Sequence, residues 1–173
     1  MNDLVREPNP RATNRRTLGA GAVGGIVAGA ALSVLFLAVE RASGKPSDIV
    51  RLGRKTANAM GSPYMHQETA PALDEQVRYH GGHLVLSAAM GAAYPLVRSL
   101  PGFGRRGLGG IGGGLLFGAA FYPLFWGLFG PKLGLTPTPR QEGIVTVSQR
   151  VGLHALFGMV TALVTNAFAP RKG

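Results

Sequence analysis

Charged residues are absent from four long stretches of this chain, at residues 18–39, 81–97, 108–129 and 151–169. An α-helix rises about 1.5 Å per residue, so about 20 residues cross the hydrocarbon core of a bilayer, which is roughly 30 Å thick. The two longer stretches meet this length easily and the two shorter ones just suffice. The pattern therefore predicts an all-α membrane protein with four transmembrane helices.

Two of these stretches resemble each other. GGIVAGAALSVLF begins at Gly24, GGLLFGAAFYPLF begins at Gly113, and about half of the aligned positions are identical. The spans that follow correspond more weakly, with His83 aligned to His154 and small residues four and eight positions later. One interpretation is two tandem hairpin repeats about a pseudo-twofold axis along the membrane normal. The other is chance, because a chain rich in glycine and alanine easily matches itself.

Small residues recur at every fourth position on the first and third spans. They are Gly21, Gly25, Gly29 and Ser33 on the first, and Gly110, Gly114 and Gly118 on the third. Lipid tails are as apolar as leucine, so membrane helices associate through close backbone packing rather than through hydrophobicity. These positions are predicted helix-packing faces, used either within the chain or between protomers.

The loop after the first span contains a short amphipathic segment, SDIVRLGRKTANAM, which begins at Ser47. Ser47 can cap a helix in which Arg51, Arg54 and Lys55 share one side. Such a helix is suited to the membrane interface, where these three basic residues would face lipid headgroups. The alternative is that the helix packs over the mouth of the bundle as a lid.

The length of 173 residues fits one domain. We divide the chain into a basic tail, residues 1–16, expected to be largely disordered, and a single four-helix transmembrane domain, residues 17–173. A net charge of +10 would suggest a nucleic-acid partner in a soluble domain. Here the basic residues lie in loops and tails and no RNA-binding or zinc-finger signature is present, so nucleic acid is not expected.

The segment RRTL, at residues 15–18, resembles a twin-arginine export signal. The apolar run behind it is longer than a signal core and is followed by poor cleavage sites, so we expect the first span to be retained. Basic residues are densest on the face that carries both termini. This density favours cytoplasmic termini, although the basic amphipathic segment argues for the opposite orientation.

The four spans contain no Asp, Glu, Lys or Arg, which argues against a proton pump or an ion-coupled transporter. The chain has no cysteine and no visible nucleophile–base pair, so we predict no catalytic residues and no enzymatic activity. A candidate polar or ligand site remains, formed by His80, His83, Glu142, Gln149 and His154. Its sharpest form is a haem or metal held by His83 and His154; otherwise we expect no cofactor and ordinary hydrated histidines.

Three features resemble the YagU-like family of small bacterial inner-membrane proteins, which has no assigned activity. They are a glycine-rich first span ending in Glu40, the segment FGPKLGLTPTP from Phe129, and a last span that opens with Gly152 and His154. The family would imply an acidic residue shortly before the last-span histidine, where this chain has Ser148 and Gln149. The resemblance therefore implies a location and a fold more than an activity.

The sequence thus predicts a multi-pass protein of the bacterial cytoplasmic (inner) membrane with a non-enzymatic binding or accessory role. Its small-residue faces would pack against a second copy or a larger membrane complex, and its other partner is the lipid bilayer. Two alternatives stay open. One is a passive small-solute pore or transporter lined by Ser87, Tyr94, Thr161 and Asn166; the other is a haem- or metal-binding subunit.

Overall fold

The computed structural model describes residues 10–62, 68–100 and 110–169, and within these residues it is all helical. Its elements are α1 (Pro10–Ser43), α2 (Asp48–Ala59), α3 (Leu73–Arg98), α4 (Ile111–Tyr122), a π-helical segment (Pro123–Phe129), α5 (Gly130–Lys132), α6 (Pro139–Glu142) and α7 (Ile144–Phe168). The helix order confirms the all-α prediction.

Three helical stretches are long and apolar enough to cross a membrane: Arg15–Ser43, Ile111–Lys132 and Ile144–Phe168. They contain the first, third and fourth predicted spans, apart from residues 108–110 and 169 at the edges. The predicted span at 81–97 lies in α3, which is long enough to cross a membrane but has a lower mean hydropathy than these three stretches. It has a smaller share of leucine, isoleucine, valine and phenylalanine than the other stretches, and His83, Tyr94 and Pro95 lie within it.

The helix ends differ from the predicted ones for local reasons. Helix α1 starts at Pro10, so it includes residues 10–16 of the tail that we expect to be largely disordered; residues 1–9 lie outside the described part. No glycine or proline interrupts the chain between Pro10 and the apolar span, which lets the helix continue outward. It ends before Gly44, whose φ of 65° suits glycine at that position.

Helix α4 passes directly into the π-helical segment at Pro123. Proline has no backbone N–H to donate to the preceding turn, and the wider π turn accommodates that missing bond. Helical backbone continues to Lys132, followed by a turn at Gly134 with φ 68°.

Close packing through small residues joins α1 to α3. A Cβ added at Gly21 or Gly25 would collide with α3 backbone at Gly91 or Ser87, and one added at Gly29 would meet the Ser87 side chain. The contacts run in opposite directions along the two helices, so α1 and α3 are antiparallel. These three glycines of the predicted packing face are therefore used within the chain.

A second antiparallel pair, α4 and α7, packs in the same manner. A Cβ at Gly114 or Gly118 would collide with backbone at Gly158 or His154. Gly110 differs: it is the N-cap of α4, and a Cβ there would meet none of the described residues, so it takes no part in this contact between α4 and α7. Helix α1 also contacts α7, where Gly24 lies against the backbone of Thr161. The helices therefore associate in the order α3, α1, α7, α4.

Candidate functional site

A cavity of about 500 Å³ lies between α1, α3, α4, the π-helical segment and α7. It forms because α3 and α4 touch only slightly, whereas the other neighbouring helices pack closely. Seven Phe, Tyr and Trp side chains line it: Phe36, Tyr79, Phe117, Phe121, Phe125, Trp126 and Phe157. This size and this mainly apolar lining are typical of sites that bind small molecules.

Two of the predicted ligand residues, His83 and His154, line this cavity from α3 and α7. His83 Nδ1 lies 3.2 Å from Ser33 Oγ, and His154 Nδ1 lies 2.7 Å from the Arg150 carbonyl oxygen. The His154 ring also stacks on Phe121, with ring centroids 5.5 Å apart. The fold therefore holds both rings by their Nδ1 side and brings them to one apolar chamber.

Helix α2 covers one end of the cavity, which we call the lid end; there α1 ends, and α3 and α7 begin. Its residues Ile49, Leu52, Thr56 and Met60 line the cavity together with Gly53. Ser47 caps the helix as predicted, with its Oγ accepting a hydrogen bond from the Val50 N–H at 3.4 Å. The lid packing that the sequence offered as an alternative is thus the arrangement observed.

The lid is fixed to α3 by a buried ion pair. Arg54 donates from Nε and Nη2 to the two carboxylate oxygens of Glu75, at 3.0 and 2.9 Å, and from Nη1 to the Thr69 carbonyl at 3.0 Å. The Arg54 side chain is 2% exposed and that of Glu75 is 8% exposed. A bidentate pair of this kind fixes both distance and orientation between two helices.

A second attachment joins the lid to α7 through Arg150. Its guanidinium donates to Asp48 Oδ2 at 3.0 and 2.9 Å and also to the Glu142 carboxylate. Glu142 in turn accepts a hydrogen bond of 3.1 Å from the Tyr122 hydroxyl. The Arg150 Cζ lies 4.6 Å from the centroid of the Trp126 ring, within cation–π range. One arginine therefore connects the lid, α6 and the cavity wall.

A third attachment uses Glu40 at the end of α1. Its carboxylate, almost completely buried, accepts hydrogen bonds from the Ser47 N–H at 3.0 Å and from Gln76 Nε2 at 3.1 Å. His80 Nε2 lies 3.7 Å from the same carboxylate. His80 therefore belongs to this buried cluster and not to the cavity that His83 and His154 line.

Comparisons with known proteins found no relatives. The chain matches no family model, no curated protein and no solved structure at a significant level. The geometry of the site is therefore the basis for assigning a function.

The three residues predicted to face headgroups are separated by the fold. Arg54 is buried against Glu75, so its predicted contact with lipid is wrong: the buried carboxylate lies on its side of the helix. Arg51 pairs with the exposed Glu68 at 2.8 Å, and Lys55 is exposed. Arg51 and Lys55 both line a smaller pocket of about 270 Å³ on the outer side of the lid.

The other residues of the predicted ligand site and of the predicted pore do not come together at the cavity. Gln149 is exposed and is absent from the cavity lining, whereas Glu142 is linked to the cavity through Arg150. Of the four residues proposed to line a pore, only Ser87 lines the cavity. Tyr94 and Thr161 are fully buried in helix packing, and Asn166 accepts a hydrogen bond from Arg98.

Sequence reasoning missed the residues that hold the lid: Glu40, Asp48, Glu75, Tyr122 and Arg150. Two of them stand out in the sequence by position: Glu40 directly follows an apolar span, and Arg150 directly precedes one. Neither signal identifies its partner, however, because Arg150 and Asp48 are 102 positions apart in the chain.

Proposed function

We propose that this protein is an integral protein of the bacterial inner membrane that binds a small apolar molecule beneath α2 and performs no chemistry on it. The observation that carries the proposal is the aromatic-lined cavity, which is closed at the lid end by a helix held through three sets of polar contacts. A binding protein needs such a chamber and a cover, and both are built from residues in distant parts of the chain.

We infer that α3 is the fourth membrane span. It packs antiparallel along α1 through Gly21, Gly25 and Gly29, so its uncharged stretch lies at the same depth as a helix that can span the bilayer. The small residues Ser87 and Gly91 make that contact possible. The two turns that carry Asp74 and Glu75 would then project beyond the hydrocarbon region.

Equivalent contacts support the tandem hairpin repeat as well. The sequence alignment matches Gly25 with Gly114, and Ser87 with Gly158. In the fold, Gly25 packs on Ser87 in the first pair of helices and Gly114 packs on Gly158 in the second. The similarity to the YagU-like family and the cytoplasmic location of the termini remain predictions.

The binding function can be tested with fluorescence, because Trp126 is the single tryptophan of the chain and lines the cavity. Dibromododecane, an apolar quencher, is added to the full-length protein in detergent. Gly82 and Gly81 supply matched variants: a Cβ at either would meet nothing, but only Gly82 lines the cavity. Gly82→Phe should fill part of the cavity and Gly81→Phe should not.

We expect dibromododecane to quench the wild type and Gly81→Phe strongly and to quench Gly82→Phe several-fold less. Saturation at a defined concentration would distinguish binding from collision within the micelle. Equal quenching of all three proteins, or quenching of the wild type that never saturates, would refute the proposed function.

Haem binding is a second candidate function, because His154 is held at Nδ1 by a backbone carbonyl, as metal-binding histidines usually are. Among the residues that the structure describes, no group of three or more His, Asp or Glu side chains could hold a metal ion. Haem is therefore favoured over a bare metal. Protein purified from its own membrane would show a visible absorbance band that His83→Ala and His154→Ala abolish; a colourless preparation that also fails to bind added haem would exclude this function.

A further inference from the structure

The hydrogen-bonding state of His154 follows from its partner. A carbonyl oxygen only accepts hydrogen bonds, so the Nδ1 atom that lies 2.7 Å from the Arg150 carbonyl must carry the hydrogen. In the neutral imidazole the other nitrogen is then an acceptor. No hydrogen bond of His154 Nε2 occurs within the described residues, which leaves this acceptor for a molecule in the cavity.

His83 is more adaptable. Its Nδ1 lies 3.2 Å from a hydroxyl, Ser33 Oγ, which can either donate or accept. His83 Nε2 can therefore act as a donor or as an acceptor. The cavity thus offers one fixed acceptor on α7 and one group of either kind on α3.

The charges at the cavity edge disfavour an anionic ligand. Arg150 is already bound by Asp48 and Glu142, and Arg78 lies 3.6 Å from Asp74. A carboxylate or phosphate head would have to displace one of these acids or remain uncompensated in an apolar chamber. A neutral head that can donate a hydrogen bond fits the site better.

The aromatic walls favour a flat ring. Phe121 stacks on His154 and also on Phe125, with both ring centroids 5.5 Å away and with interplanar angles of 28° and 10°. An aromatic ligand can continue such a series of offset stacked rings, which adds to the free energy of apolar burial. A saturated chain cannot make this contact.

We infer that the cavity binds a neutral apolar molecule that carries a hydroxylated aromatic ring, a phenol or a quinol, whose hydroxyl donates to His154 Nε2. The aromatic ring then lies among the phenylalanines, and a second ring oxygen, where the ligand has one, faces His83. This inference rests on the proposed function, because it names the class of molecule that the cavity would take.

A pair of ligands that differ only in the donor tests it. Para-nonylphenol and its methyl ether, para-nonylanisole, share ring and chain, but methylation removes the hydroxyl hydrogen. Each is titrated into the full-length protein already quenched by dibromododecane, and recovery of Trp126 fluorescence measures displacement of the quencher. The phenol should act at a concentration about tenfold lower than the ether, which corresponds to about 1.4 kcal/mol for the lost hydrogen bond.

Substitution of the acceptor assigns the preference to one residue. His154→Leu should bring the two ligands to the same potency, whereas His154→Gln keeps an acceptor oxygen in a similar position and should keep most of the difference. Gly81→Phe should behave like the wild type.

The outcomes separate the two proposals. Equal potency of phenol and ether in the wild type would overturn this inference while leaving the cavity as an apolar site. A tenfold preference that persists in His154→Leu would overturn it too, because the donor would then bind elsewhere. If Gly82→Phe is quenched as the wild type is, the proposed function itself fails, whatever the ligands do.

Discussion

Replacement of Arg54 by methionine removes the buried attachment between the lid and α3. It takes the bidentate guanidinium away from the Glu75 carboxylate, whose side chain is 8% exposed and which also accepts a hydrogen bond of 3.2 Å from the Ala72 N–H. Loss of one partner from a buried ion pair typically costs about 3–5 kcal/mol, because the remaining charge is uncompensated in a poorly solvated place. We expect a loss of stability of that size.

The matched control is Arg51→Met on the same helix. Arg51 pairs with Glu68 at 2.8 Å, nearly the Arg54–Glu75 distance, but these side chains are 39% and 71% exposed. Exposed pairs contribute at most about 1 kcal/mol, so this variant should lie close to the wild type. Stability is measured by titrating dodecyl sulfate into micelles of the full-length protein and following helix content together with the fluorescence of Trp126.

A second variant separates the lost attraction between Arg54 and Glu75 from the cost of keeping the Glu75 charge buried. Adding Glu75→Gln to Arg54→Met removes the buried negative charge, so the double variant should recover more than half of the lost stability. If Arg54→Met destabilises the protein no more than Arg51→Met does, the buried ion pair does not hold the lid. If the double variant is as unstable as the single one, desolvation of Glu75 is not the cause.

Three further perturbations test the lid, the helix packing and the topology. Gly53→Val should displace the lid, because a Cβ at this position would collide with the Tyr79 ring. Quenching of Trp126 fluorescence by aqueous iodide should then increase, and unchanged quenching would contradict the lid packing. Gly25→Leu should destabilise the bundle by about 1–3 kcal/mol or more through overpacking, whereas Gly19→Leu, where a Cβ meets nothing, should be neutral; equal dodecyl sulfate midpoints would refute the close contact. The chain lacks cysteine, so Met60→Cys and Ser99→Cys can each carry one thiol for labelling in sealed vesicles. With α3 as a span they should react from opposite sides, Ser99→Cys from the cytoplasm, and labelling of both from one side would exclude that span.

Local features of the sequence were enough to predict most helices. The uncharged stretches mark three apolar helices because burial in a bilayer requires about 20 residues without charge, whatever the neighbours are. Ser47 predicts the start of α2 because capping involves only the next turn. The face of that helix which contacts other residues could not be predicted, because its basic side could face either lipid phosphate or a buried acid. The structure places Glu75 there for Arg54.

The sequence by itself determined that the chain is helical, that its helices pack through small residues, and that polar groups are rare within the apolar stretches. Only the tertiary structure decided which histidines share a site. His83 and His154 are 71 positions apart and line one cavity, whereas His80, one turn from His83, faces Glu40. Three residues advance a helix by about 4.5 Å along its axis, so the two histidines meet α1 at different levels, His80 at Glu40 and His83 at Ser33. The cavity exists only because α1 and α7 pack while α3 and α4 stay apart.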